Sequence, residues 1–307
     1  MNIKKEGITM RISIIEKKHS LKFLIVKISI FTLCITSFLG VAVSQVTVVS
    51  SEHQHSLLSH QIAQIHEDNK KLKSQNKILE STIKKDEVLY KSKLDNTKIA
   101  YLTFDDGVSS NTLQILKVLK KYNIKATFFV NGHPESRFLY KQISDDGHTL
   151  ANHTYSHDYN SIYASPDNFK KDVKKLDSFL TEITGKKPSH ILRYPGGSNN
   201  TISHSYGGME IMSTVISEMN KDGYKYFDWN VDSSDASAFC QHKHKIIESV
   251  LTQSSRTKHA IILMHDLNPK TTTVEALPEI IEGLTNQGFI FDVLSENTYP
   301  PQFKVVK

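Results

Sequence analysis

Two adjacent carboxylates, Asp105 and Asp106, close the strand-like run Lys98-Ile-Ala-Tyr-Leu-Thr-Phe104 and are followed by Gly107, and His153-Thr-Tyr-Ser-His157 answers them later in the chain. One carboxylate and two imidazoles suffice to hold a divalent cation with coordination positions left open, as a catalytic ion requires and a structural one does not. The second carboxylate then remains as a base. Taken singly, each cluster has an ordinary reading. Asp-Asp-Gly after a strand makes a turn, because Asp accepts nearby backbone hydrogen bonds and Gly takes positive φ. A His-x-x-x-His in a chain with 15 histidines is unremarkable. Their placement on the surrounding elements decides between the readings.

From residue 98 onward, short β-branched and aromatic runs alternate with amphipathic segments of helical length, the pattern of a parallel sheet with crossover helices. The pattern predicts strands over 98–104, 126–130, 149–153, 190–194, 225–231, 259–264 and 289–294, and helices near 111–122, 135–145, 166–184, 207–222, 243–256 and 273–287. Seven strands in that length suit a barrel, closed or incomplete. A doubly wound sheet would carry a Gly-rich phosphate loop after its first strand, and none is present. The polar clusters fall at successive strand ends: Asp105-Asp106, His153 with His157, Arg193-Tyr-Pro-Gly-Gly197, Asp228-Trp-Asn-Val-Asp232, and His265-Asp266. In an α/β barrel those C-terminal ends converge on one mouth, where such barrels keep their active sites.

Thr103-Phe-Asp-Asp-Gly107, His153-Thr-Tyr-Ser-His157, Arg193-Tyr-Pro-Gly-Gly197, Asp228-Trp-Asn-Val-Asp232 and Leu263-Met-His-Asp266 together resemble the five ordered motifs of the NodB-homology polysaccharide deacetylases, carbohydrate esterase family 4. The resemblance covers roughly residues 98–295. It implies a distorted (β/α)7 barrel and metal-dependent removal of acetyl groups from sugars, as in the membrane-anchored peptidoglycan N-acetylglucosamine deacetylases of Gram-positive bacteria. Position by position it makes Asp106, His153 and His157 the metal ligands, Asp105 the general base, and Gly196 the source of a backbone N–H for the oxyanion. Its metal is one divalent ion, zinc foremost, with cobalt, manganese or iron also fitting. His265 is the candidate proton donor to the leaving amine, with Asp232 as its partner, and Arg193 would hold Asp105 in place. Trp229 and Leu263 would cup the acetyl methyl, and Tyr194 stands at the substrate side where many relatives have Phe or Pro. Asp228 reads as a strand-end cap. A polar insertion, residues 198–204, follows the glycine pair and bears on which glycan is taken. Another surface polysaccharide, or an acetylxylan-type ester, would use the same residues, and a non-catalytic envelope scaffold is the reading from another class.

The first hundred residues say where such a domain would work. Residues 1–27 hold Lys4, Lys5, Arg11, Lys17, Lys18, Lys22 and Lys27 against Glu6 and Glu16, so this tail carries +5 of the formal net charge of +6. The rest is near neutral, and a nucleic-acid partner loses its electrostatic basis. An uncharged stretch follows from Ile28 to Val49, long enough to cross a bilayer as a helix. Lysines precede it, which predicts a cytoplasmic N-terminus and an extracytoplasmic remainder. Cleavage of a signal peptide near Ala42-Val43-Ser44, releasing a secreted protein, is the alternative. The expected organisation is a basic tail (1–27), a transmembrane anchor (28–50), a helical stalk (51–97) and the deacetylase-like domain (98–307). In the stalk Leu58, Ile62, Ile65, Asn69, Leu72, Asn76, Leu79 and Ile83 recur at spacings of four and three. This heptad pattern predicts a coiled-coil homodimer through residues 58–83, with a lone solvated helix as the other reading. Two cysteines, Cys34 and Cys240, build no disulfide framework.

Overall fold

The computed structural model describes residues 51–306, without the side chains of residues 51–54 and 83–96. The stretch expected to anchor the chain, residues 28–50, lies outside the described residues, and among those described no helix is long and apolar enough to cross a membrane. The chain divides into two compact units, residues 1–84 and 85–307.

In the first unit the polar sequence between residues 51 and 84 is helical, as its freedom from Gly and Pro allows; helix α1 runs Ser51–Asn96. Leu58 is 41% and Ile62 52% exposed, whereas Ile65, Leu72 and Leu79 are half-buried.

The second unit is built on parallel strands β1 (Ile99–Asp105), β2 (Thr127–Val130), β3 (Thr149–Asn152), β4 (Ile191–Leu192), β5 (Lys225–Tyr226), β6 (Val231–Asp232), β7 (His259–His265) and β8 (Ile290–Phe291). Their order across the sheet is β5-β4-β3-β2-β1-β7-β6, with β8 beside the start of β1. The two edge strands, β5 and β6, are consecutive in the chain. Residues 225–231, expected as one strand, are thus two half-strands that pair at opposite edges of a curled sheet. The α/β architecture is the expected one, consistent with a (β/α)7 barrel whose seam is spanned by residues 227–230. Expected strand 190–194 shortens to Ile191–Leu192 because Pro195 and two glycines begin a turn that leaves the sheet.

The crossovers are helices α2 (Ser110–Tyr122), α3 (Arg137–Asp145), α4 (Tyr159–Ile162), α5 (Pro166–Thr184), α6 (His204–Gly207), α7 (Ile211–Lys221), α8 (Lys243–Ser254) and α9 (Thr271–Asn286). Local chemistry sets their ends. Ser165 caps α5 by accepting from the Asn168 N–H, Pro166 fills its first turn, and Gly185 at φ 66° ends it. The helix expected over 207–222 is broken because Gly208, at φ 82°, separates α6 from α7.

Period-two alternation sorts the strands into two faces. Ala100, Leu102, Phe104, Phe128, Val130, Ala260, Ile262 and Met264 face the helices in the largest core cluster. Ile99, Tyr101, Phe129, Ala151, Ile191, Phe227 and Ile261 face the inside of the curl. Thr103, Asp105, Arg193, Leu263 and His265 share the inward parity of that second set, so the polar groups cap the apolar filling at the carboxyl ends of the strands.

Candidate active site

Register brings Asp105 and His265 together. β1 and β7 pair so that Thr103 lies beside Leu263 and Asp105 beside His265. On the other side of β1, Asp105 aligns with Phe129 of β2, and β2 aligns Val130 with Asn152 of β3, whose next residue is His153.

Asp105 is held by Arg193, whose Nη1 donates to its Oδ1 at 2.8 Å. Arg193 is fully buried, and every arm of its fork is occupied: Nη1 also reaches Thr103 Oγ1, Nε the carbonyl of Phe227, and Nη2 the carbonyl of Asp228. A buried guanidinium so saturated has one position, and it fixes the carboxylate in turn. The guanidinium lies 4.2 Å above the Phe129 ring.

Asp106, His153 and His157 present ligand atoms within 4.8 Å of one another. Asp106 Oδ1 is 3.3 Å from His153 Nε2 and 3.3 Å from His157 Nε2, and His153 Nε2 is 3.8 Å from Asp105 Oδ2. His153 Nδ1 sits 2.8 Å from the carbonyl oxygen of Arg193. A carbonyl can only accept, so Nδ1 carries the hydrogen and the Nε2 lone pair is turned to the cluster, as a metal-ligating imidazole requires. Asp106 Oδ1 is buried and has no hydrogen-bond partner among the described residues. An orphaned carboxylate oxygen facing two imidazole nitrogens fits a divalent cation.

The electrostatics agree. Burial alone would raise the Asp106 carboxyl, yet the nearby His153, with the charge of His157, holds it well below the usual range. His153 is lowered by burial but raised overall by the charges of Asp105 and Asp106. His157 is lowered, by burial and by His153 beside it.

The backbone carries strain at the same place. Asp106, Thr154 and His157 adopt φ of 71°, 67° and 51°, a region that L-residues rarely occupy. Local bonds maintain it: the His157 N–H donates to Thr154 Oγ1, the Thr154 N–H to Asn152 Oδ1, and Asp172 accepts the N–H groups of Tyr155 and Ser156. Neither Asp172 nor Asn152 has a motif-like signature in the sequence. At Gly107 a Cβ would run into the Asp266 carboxyl, which Thr112 also contacts. Burial, with the nearby charges of Asp106 and Asp105, pushes Asp266 up to about 7.

Two of the expected roles are corrected. Asp232 is not the partner of His265. Its carboxylate accepts the N–H of Ser234, whereas His265 Nδ1 lies 2.7 Å from Asp235 Oδ1, and Asp235 Oδ2 accepts from the His265 N–H and from Thr273 Oγ1. Asp232 belongs to β6, and Asp235 follows Ser234 at φ 60°, which swings the chain back over β7. A strand-end motif read as stopping at residue 232 misses an acid three residues on. Tyr194 is not at the substrate side. Alternation from inward Arg193 turns it outward, where it packs with Phe169 and Tyr226 in the core between sheet and helices. Leu263 is buried on the inward face and Trp229 is half-buried, with the Arg193 guanidinium 5.8 Å from its ring. Gly196 has φ 78°, and a Cβ there would meet the Tyr159 hydroxyl at 2.6 Å, so only glycine fits the turn. Asp228 acts as the cap expected of it, accepting from the Ser198 N–H and hydroxyl.

The polysaccharide deacetylase family profile matches residues 92–226. A peptidoglycan-N-acetylglucosamine deacetylase of Bacillus cereus is 30% identical over 210 residues, covering 66% of this chain and 72% of that protein. This chain belongs to the polysaccharide deacetylase family. Its fold also matches the crystal structure of the catalytic domain of a peptidoglycan N-acetylglucosamine deacetylase from Eubacterium rectale, with TM-score 0.65 and 36% identity over 69% of this chain and 95% of that one. A polysaccharide deacetylase from Bacillus cereus matches with TM-score 0.58 and 30% identity, over 67% and 96% of the two chains.

The Asp235 pairing makes a prediction of its own. Burial lowers His265, but the hydrogen bond and charge of Asp235, with the charges of Asp105 and Asp106, raise it to about 9. A cation on Asp106 would offset the part due to Asp105 and Asp106, leaving Asp235 as the raising partner. An acid works only while protonated, so the expected role of His265 predicts activity that falls as pH rises through its pKa. Asp235→Asn should move this alkaline limb to lower pH, while Asp232→Asn should leave it in place. Rate against pH for the two variants checks this, and the reverse pattern would return Asp232 to the role.

Proposed function

We propose that this protein hydrolyses the acetamido groups of peptidoglycan N-acetylglucosamine, releasing acetate and leaving a free amine on the glycan. The observation that carries the reading is the convergence at one rim of three units: Arg193-held Asp105, the Asp106/His153/His157 cluster, and Asp235-held His265. Asp105 is placed to accept a proton from the attacking water, whose oxygen forms the new bond to the acetyl carbon. As the carbon–nitrogen bond breaks, His265 is placed to protonate the departing sugar nitrogen. The N–H of Gly196, in a turn that excludes any side chain, is the proposed donor to the developing oxyanion. Asp106, His153 and His157 would hold one divalent ion, zinc foremost, which when bound supplies Lewis-acid polarisation of the carbonyl and of water.

The relatives' names support peptidoglycan as the substrate. The basic flank and the uncharged stretch at 28–50 support a membrane-tethered domain facing outward, beside that polymer. The exposed stripe of α1 supports pairing of two copies through residues 58–83. The full chain incubated with purified peptidoglycan should release acetate and yield muropeptides with free glucosamine by mass spectrometry. In cells it should fractionate with membranes. Acetate release from acetylxylan but not from peptidoglycan would reassign the substrate, and a shortened soluble form as the sole species would replace the anchor with a cleaved signal.

A further inference from the structure

The seam of the curled sheet is not left open. The segment from residue 299 to 305 crosses it: the Asp228 N–H donates to the Pro301 carbonyl at 3.0 Å, and the Phe303 N–H donates to Asp228 Oδ2 at 2.7 Å. The same carboxylate holds Ser198, at the end of the Arg193-Tyr-Pro-Gly-Gly197 turn. Asp228 thus joins two segments about a hundred residues apart in sequence. Val305 continues into the outer core with Tyr194 and Tyr226, which anchors the far end of the strap.

This arrangement sets two rings side by side. Trp229 and Phe303 meet edge to face, with centroids 4.9 Å apart and planes at 84°. Both are half-buried, and both close on the same glycine: a Cβ on Gly197 would meet Trp229 Cη2 at 3.2 Å and Phe303 Cε2 at 3.4 Å. An edge-to-face pair leaves much of one ring's surface uncovered by its neighbour. The pair is next to the chemistry, since Trp229 lies 5.8 Å from the guanidinium that grips Asp105. Both residues lie beyond the matched stretch 92–226.

We propose that Phe303 and Trp229 form a sugar-binding subsite, in which a pyranose ring next to the reacting residue stacks its apolar face on the aromatic pair. The inference rests on the glycan-deacetylase reading and deepens it: the C-terminal strap makes Phe303 a specificity-determining residue that favours chains over single sugars. Trp229 is the only tryptophan in the chain, so its fluorescence reports the subsite without any turnover.

The test titrates the full-length chain with soluble β-1,4-linked oligomers of N-acetylglucosamine, from dimer to pentamer, and measures acetate release from the same set. Trp229 emission should change on adding the tetramer. Phe303→Ala should weaken tetramer binding and raise its KM about five- to tenfold, the size of a lost aromatic contact, with a smaller effect on the dimer. Phe303→Tyr should restore both. Tyr299→Ala, 88% exposed on the same strap, should leave the tetramer KM where it was. Emission unchanged by any oligomer, or an equal loss on dimer and tetramer in a normally melting Phe303→Ala protein, would overturn the subsite. Emission that responds to the tetramer without acetate release would uphold the subsite and overturn the activity reading instead.

Discussion

Asp105→Asn should lower kcat for acetate release at least about 10²-fold, the usual size of a lost general base, with the divalent ion still bound. The structure separates the two functions because Asp105 and Asp106, though adjacent, face different partners. Asp105 Oδ1 receives Arg193, whereas Asp106 Oδ1 faces the two imidazole nitrogens. Asparagine keeps the shape and an oxygen for Arg193 but cannot take up a proton. The variant also removes the charge partner of a fully buried guanidinium, and a broken buried pair typically destabilises by about 3–5 kcal/mol. Here the carbonyls of Phe227 and Asp228 and the Thr103 hydroxyl still accept from Arg193, so the protein should fold with a lower melting temperature. Steady-state kinetics, metal content and a melting curve on one preparation check all three. Near-normal kcat with metal bound would remove Asp105 from the base position.

What the sequence carried and what it did not divide along a physical line. Strands β1, β2, β3 and β7, with helices α2, α5 and α9, were legible because their apolar periods are strong, and α2 and α5 also carry local serine caps. Strands β4, β5 and β6 are two residues each, held by neighbours distant in sequence, and no window of seven residues shows that 225–231 belongs half to one edge and half to the other. The same distinction runs through the site. Residues at the ends of the legible strands β1, β3 and β7, namely Asp105, Asp106, His153 and His265, stand where their spacing put them. Tyr194 went to the outer core by a parity rule that the sequence already contained: next to an inward Arg193, it must face out. Asp235 needed the left-handed turn at Ser234, a conformation that nothing in Asp-Ser-Ser-Asp announces. Phe303 is set by the closure of the seam, which is a property of the whole curl.

Removal of divalent ions should abolish acetate release, and added zinc should restore it in the native chain but not in His153→Ala. Among the three residues of the cluster, His153 is the one most tightly placed. Its side chain is 4% exposed, and its Nδ1–H is committed to the Arg193 carbonyl. Substituting a group that merely orients a ligand already weakens metal binding about 10- to 100-fold, so deleting the ligand itself should do more. The direction of the pH effect follows from the charges. Asp105 and Asp106 raise His153 in the metal-free protein, so its imidazole holds a proton more firmly than an ordinary histidine. That proton competes with the ion for Nε2. Metal affinity should therefore fall as pH falls through the raised pKa, and loading should release protons, more of them near about pH 6 than near about pH 8. Calorimetric titration of the stripped protein with zinc in buffers of different ionisation enthalpy measures this release directly. Activity that survives exhaustive chelation, or equal rescue of His153→Ala by zinc, would show that the cluster is not the site of the chemistry. In that case the orphaned oxygen of Asp106 and the strained φ at His157 would need another cause.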